Sequence, residues 1–292
     1  MKKKLKIALG FVILAATIAA FTHYVTTHPQ LISQLSETSP WLVVALLAVY
    51  AIWFLAQVVI LRVSLRLFDI SMPKQENLLL NAYSSLINFF GPGQSGPAFR
   101  GIYLKKRYNM RLKDYMFTAL LYYGFYAIIS AFFMFVGSRP WWQTLGLVLA
   151  AGIGSTIVIK WYAKRSKISG GLNIVSLGWL FGATLVQLTA QLVIFYLELH
   201  SIHPETSVAQ ALTYTGVANF ALFVSLTPGA IGIREAFLVF SQNLHHLGNT
   251  IIVGANLIDR AVYLLFLGLL FVMTLALHAK DKLHIKQEKS TR

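Results

Sequence analysis

Long apolar runs recur along the chain at 7–25, Trp41–Leu61, Tyr115–Gly137, Thr144–Tyr162, Leu172–Leu199 and Thr250–His278. Each is close to the roughly 20 residues an α-helix needs to cross a hydrocarbon core of about 30 Å. Inside a bilayer the backbone must satisfy its own polar groups, so only helices and closed barrels span it. The expectation is an all-α integral membrane protein of about six transmembrane helices. Only 12 % of the 292 residues are charged, about half the share of a soluble domain. One membrane domain, 1–292, is therefore expected, with no soluble domain beside it. The first run follows "MKKKLK" and is read as an uncleaved N-terminal span, 7–25. The chain has no cysteine, which excludes thiol nucleophiles, disulfides and thiolate metal sites.

The placement of charge sets an orientation. All but three of the 25 Lys and Arg fall in five segments that alternate spans would leave on one side. These are Lys2–Lys6, Arg62–Lys74, Arg100–Lys113, Lys160–Lys167 and the tail 279–292. Cationic loops stay cytoplasmic, so both termini are expected there, in the inner membrane of a bacterium. The exceptions are Arg139 on the outer side and Arg234 and Arg260 within apolar sequence. A net charge of +15 arranged this way meets anionic lipid headgroups and needs no nucleic acid.

Two segments disturb the simple picture. Residues 91–100 read "GPGQSGPAFR" and residues 227–235 read "TPGAIGIRE". Pro92, Gly93 and Gly96 match Pro228, Gly229 and Gly232, and an arginine follows each set, Arg100 or Arg234. The apolar arm before the first, Glu76–Phe90, reaches about 22 Å as a helix, past the midplane but short of the far side. Basic residues flank this segment on both sides, so it enters, breaks and returns. The second is expected to do the same from the outer face. Two re-entrant helical hairpins then divide the chain into halves, about 41–137 and 172–278, related by an inverted-topology repeat. Bare backbone at that depth must line a protein-enclosed cavity. The helix restarting after each break aims its positive end inward, and Arg100 and Arg234 are suited to hold a phosphate bidentately.

The charges Arg234, Glu235, Asp259 and Arg260 lie in or beside hydrocarbon. Each costs about 2.5–3.5 kcal/mol at mid-depth on insertion scales, so pairing of Arg234 with Asp259, or of Glu235 with Arg260, is expected. A substrate phosphate would compete for the arginine. Asn88 and Asn81 are candidates to line the cavity. Glu198, near the end of its span, is expected to snorkel outward, and Tyr122, Tyr123 and Tyr126 to pack or to form an aromatic belt.

The sequence resembles the membrane region of lysylphosphatidylglycerol synthases and their stand-alone flippase-like relatives. "PGAIGIREA" is close to that family's Pro-Gly-Gly-x-Gly-x-Arg-Glu pattern, and "NFFGPGQSGPAFRGIYLKKR" is similar to Pro-Gly-x-x-Gly-Glu-x-x-Arg, with Pro97 in place of the glutamate. The resemblance implies translocation of a phosphate-containing lipid between leaflets, an aminoacylated phospholipid or a polyprenyl-linked lipid, without the synthase activity. The expected partners are membrane lipids, with a lipid-modifying enzyme or a second copy of the chain as further candidates. No cofactor is expected, and coupling is either absent or runs on protons through Asp259 or Glu235.

Two other readings stand beside transport. The chain could be a scaffold for a separate lipid- or glycosyl-transferring enzyme. Gly93-Gln94-Ser95-Gly96 also resembles the nucleophile motif of rhomboid intramembrane serine proteases. A serine nucleophile needs a base within hydrogen-bond reach, and none of the eight histidines falls at mid-span. No phosphate-binding loop and no His-Glu-x-x-His site occurs.

Overall fold

The structure, a computed structural model, describes residues 36–91, 95–136, 138–166, 173–224 and 233–290, with scattered positions between 19 and 33. For 141, 166, 222–224 and 278–290 it describes the backbone alone. The N-terminal span 7–25 and the hinge residues Pro92, Gly93, Pro228, Gly229 and Gly232 thus lie wholly or mostly outside the described residues.

Every regular element among the described residues is an α-helix. In order they are α1 (Pro40–Arg66), α2 (Lys74–Phe90), α3 (Ser95–Tyr108), α4 (Leu112–Val136) and α5 (Trp141–Ser166). There follow α6 (Ile174–Ile202), α7 (Val208–Val224), α8 (Ile233–Phe240), α9 (Gln242–His245) and α10 (Asn249–Ser290). Five are long and apolar enough to cross a membrane: α1, α4, α5, α6 and the Asn249–Leu277 part of α10. They coincide with five of the six apolar runs of the sequence, and the chain is a multi-pass membrane protein.

Local chemistry explains several boundaries. Pro40 opens α1, where its missing N–H costs nothing, and Arg66 closes it against the negative end of the helix dipole. The side chain of Asn173 caps α6 by accepting from the Val175 N–H at 2.9 Å. Asp114 in the first turn of α4 accepts both N–H groups of Arg111, at 2.6 and 2.9 Å. Lys105, Lys106 and Arg107 fill the last turn of α3, again opposite the dipole's negative end.

The helices α2 and α3 pack as a hairpin of two arms of 17 and 14 residues, each below the roughly 20 of a typical spanning helix. The cross-pairs Asn88 with Gly96, Asn81 with Arg100, and Glu76 with Tyr103 step along the arms in opposite directions. A Cβ on Gly96 would stand 2.5 Å from the Ser84 carbonyl oxygen, so only glycine allows the arms to meet so closely. The main core joins residues of α1, α2, α6, α7, α8 and α10 around Leu46, Phe54, Phe195, Tyr214, Leu238 and Val262. α1 packs most extensively on α6, and α5 rests against α4 with almost all of its other surface facing outward.

Candidate functional site

The site begins with an inverted polarity pattern on α2. Asn77, Asn81, Ser84 and Ser85 are all buried, with the half-buried Asn88 one turn on. Their spacing places them on a single face, so this helix turns its polar stripe into the protein. Asn77 donates to the Val58 carbonyl of α1 at 2.8 Å, and Asn81 donates to Asn77 at 2.9 Å. Asn81 Oδ1 in turn accepts from Arg100 Nη1 at 3.2 Å. The one described hydrogen bond of this guanidinium thus goes to a neutral amide, and its buried Nε has no partner.

Arg100 opens onto a cavity of about 300 Å³. The hairpin contributes Ser84, Ser85, Asn88, Pro97 and Arg100 to its wall, and the spanning helices contribute aromatic rings and amides. Trp53 and Gln57 come from α1, Tyr122, Tyr123 and Tyr126 from α4, Gln187 and Gln191 from α6, Asn219 from α7 and Tyr263 from α10. Trp53 stands midway along α1, and Tyr263 midway along Asn249–Leu277, so the cavity lies at mid-depth. Among the described lining residues no side chain is acidic. Tyr126 donates to Asn219 Oδ1 at 2.9 Å, and Tyr122 to Gln187 Oε1 at 3.1 Å. The amide nitrogens of Gln57 and Asn219 are buried without a partner. Together with Arg100 Nε they make three orphaned donors on one cavity. A smaller pocket shares Gln57, Pro97, Arg100, Tyr122 and Tyr123 and continues past Ser64, Tyr115 and Thr118 towards the basic ends of α1 and α4.

A second polar cluster lies behind the aromatic wall. Arg234 Nη2 meets Asp259 Oδ2 at 2.5 Å, with both side chains about 11 % exposed. Arg260 donates to Glu235 through Nε, at 3.1 Å, and through Nη2. Asp259 also accepts from the Tyr50 hydroxyl, and Arg234 lies over the Phe195 ring at 5.7 Å. Tyr50 packs against Tyr263 with ring centroids 5.2 Å apart, which joins this cluster to the cavity wall. Arg234, Glu235, Asp259 and Arg260 do not themselves line the cavity. The structure therefore brings Arg100 and Asn88 together at one place and the other four charges at another. Both carboxylate–arginine pairs form at once, where the sequence offered them as alternatives.

One expectation about a single residue is corrected. Glu198 does not snorkel: it is fully buried, and neither carboxyl oxygen has a partner among the described residues. Of the two alternatives for Tyr122, Tyr123 and Tyr126, packing holds rather than a belt: the rings pack on one another, Tyr126 within a buried cluster, and all three also line the cavity. Arg100, counted with the cytoplasmic charges and also taken from sequence as the first hairpin's phosphate-holding arginine, lines that cavity. Trp53, Gln57, Gln187, Gln191, Asn219 and Tyr263 were not singled out from sequence. The missed signal was the set of amides inside apolar spans, where each unsatisfied polar group is costly.

Ser95 and the nearest histidine are occupied elsewhere. Ser95 Oγ donates to the Ile87 carbonyl at 2.9 Å, closing the end of α2. His245 has Nε2 3.0 Å from the Leu238 carbonyl, while its Nδ1 accepts from the Leu247 N–H at 3.2 Å.

The geometry can now be set beside known proteins. A family model described as the lysylphosphatidylglycerol synthase TM region matches residues 7–270. No curated protein and no solved structure matches the chain. The match covers the hairpin, the cavity and both buried ion pairs, and it carries the general role of the family, lipid handling in a membrane. The chain belongs to the lysylphosphatidylglycerol synthase transmembrane-region family.

Proposed function

We propose that the protein is a lipid translocase of a bacterial inner membrane, passing a phosphate-bearing headgroup through the mid-depth cavity. The observation that carries this reading is Arg100, a half-buried cation on a cavity with no acidic side chain among its described lining residues, whose one described hydrogen bond goes to the neutral Asn81. Holding a cation at that depth without a counter-charge costs free energy. An anionic ligand would supply the missing partner in a charge-assisted, bidentate contact. Arg234 and Arg260 already have carboxylate partners and serve the reading as the frame that fixes α8 to α10.

In this reading the α2–α3 hairpin is re-entrant from the cytoplasmic side, and α7 with α8 forms its inverted counterpart from the outer side. The headgroup enters through the pocket past Ser64, Tyr115 and Thr118 while the acyl or prenyl chains stay in lipid. The occupied hydroxyl of Ser95 and the occupied ring of His245 favour transport over a serine nucleophile. Leaflet exchange of labelled lipids in proteoliposomes tests the proposal. Wild-type protein is expected to exchange a phosphate-bearing lipid at least tenfold faster than empty vesicles, and folded Arg100→Gln protein to lose that excess. Equal exchange by wild type, Arg100→Gln and empty vesicles would overturn it and favour the scaffold reading.

A further inference from the structure

The cavity's chemistry narrows what it accepts, on the premise that it is the headgroup site just proposed. Three residues of its lining each carry a buried side-chain nitrogen with no partner among the described residues: Gln57 Nε2, Asn219 Nδ2 and Arg100 Nε. All three are donors and none is an acceptor. A ligand that satisfies them must be rich in acceptors, as phosphoryl oxygens and hydroxyls are. Buried polar groups in native proteins are paired nearly always, so a ligand in the cavity towards which these side chains turn would gain by offering them acceptors.

Charge narrows the class further. Among the described residues the lining holds one cation, Arg100, and no carboxylate. One phosphate balances it. An ammonium beside that phosphate would meet a like charge and a row of donors, with no acid to receive its own N–H groups. Aromatic faces do attract cations, but here the same rings share the space with Arg100. Trp53 stands edge-on to Tyr263 with centroids 6.0 Å apart, and Tyr122 stands similarly to Tyr126 at 5.7 Å. Flat rings of this kind suit the C–H face of a sugar or the carbons of glycerol, while Gln187, Gln191 and Asn88 offer amides to hydroxyls.

Size sets the last limit. About 300 Å³ is the low end of ligand pockets, room for one phosphoryl group and one small polyol. We infer that the cavity selects a lipid whose single phosphate bears an uncharged, hydroxyl-rich headgroup, a glycerol or one sugar unit, and discriminates against an aminoacylated, cationic headgroup.

The test is binding to the purified full chain in detergent, with water-soluble short-chain lipids as probes. The panel comprises dihexanoyl phosphatidylglycerol, a short-prenyl phosphate hexose, and the lysyl ester of the first lipid. At least one uncharged polyol lipid is expected to bind tenfold or more tighter than the lysyl ester, and the two polyol arms separate glycerol from sugar. Arg100→Gln is expected to remove the preference with the fold intact by thermal unfolding. Asn219→Asp places an acid on the wall and is expected to shift preference towards the lysyl ester, a change that mere structural damage would not produce. A lysyl ester bound as tightly as either polyol lipid, binding of none of the three by folded protein, or selectivity untouched by both variants would overturn the inference. Selective binding without leaflet exchange would sink the transport proposal alone, and exchange without headgroup preference would sink this inference alone.

Discussion

Arg234 and Asp259 carry opposite charges through apolar sequence, and each is tolerable because the other is 2.5 Å away. Removing one partner of a buried pair strands the other and typically costs about 3–5 kcal/mol, whereas removing both is often close to neutral. Arg234→Met and Asp259→Leu are therefore each expected to lower thermal stability strongly in detergent. The double variant is expected to recover most of the loss, a coupling that a double-mutant cycle reads directly. Additive losses would mean that the pair does not hold the helices. Glu198 is the opposite case, fully buried with no partner for either oxygen. Since an orphaned polar group already bears its desolvation penalty, its replacement by an apolar residue can be neutral or stabilising. Glu198→Leu is expected to keep or raise the melting temperature, and a fall of several degrees would reveal a partner for the carboxyl.

Among the helices, the α2–α3 hairpin depends on close approach at one glycine. A Cβ at Gly96 would fall 2.5 Å from the Ser84 carbonyl and 2.8 Å from Asn88 Cβ, so Gly96→Ala must splay the arms. The cost expected for such overpacking is about 1–3 kcal/mol, together with slowed lipid exchange as the cavity wall shifts. Gly216 of α7 lies likewise against the Met134 backbone of α4, while nothing stands within 4 Å of a Cβ at Gly146 on α5. Gly216→Ala is expected to destabilise and Gly146→Ala to be neutral or stabilising, because alanine is the better helix former by about 1 kcal/mol. Thermal unfolding of the three variants ranks them. A Gly96→Ala protein as stable as Gly146→Ala would show that the arms do not meet closely.

At the level of the whole molecule, the question is which side each hairpin opens to. The chain has no cysteine, so single cysteines report sidedness without background. Lys74→Cys at the start of α2 and Lys106→Cys near the end of α3, both exposed, are expected to react with an impermeant thiol reagent from the same, cytoplasmic, side. Ser138→Cys, between α4 and α5, is expected to react from the other. Labelling of Lys74→Cys and Lys106→Cys from opposite sides would make the hairpin a crossing pair and remove the re-entrant reading.

Hydropathy and length alone determined that the chain is helical and spans a membrane, because bilayer thickness and unsatisfied backbone groups leave no other solution. The buried charges Arg234, Glu235, Asp259 and Arg260 were legible for the same reason: ionised groups in hydrocarbon stand out one residue at a time. The cavity was not legible, although its material was present. Tyr122, Tyr126, Gln187, Gln191, Asn219 and Tyr263 sit on four different helices, and nothing in the order of residues says which faces of those helices converge. Only the packing of α1 on α6, with the hairpin and α4, α7 and α10 around them, brings those faces to mid-depth. That packing also decided that Arg100 faces the cavity while Arg234 and Arg260 are matched by carboxylates. A charge's cost depends on its own position along a span, but its partner depends on distance between helices, which the sequence does not contain.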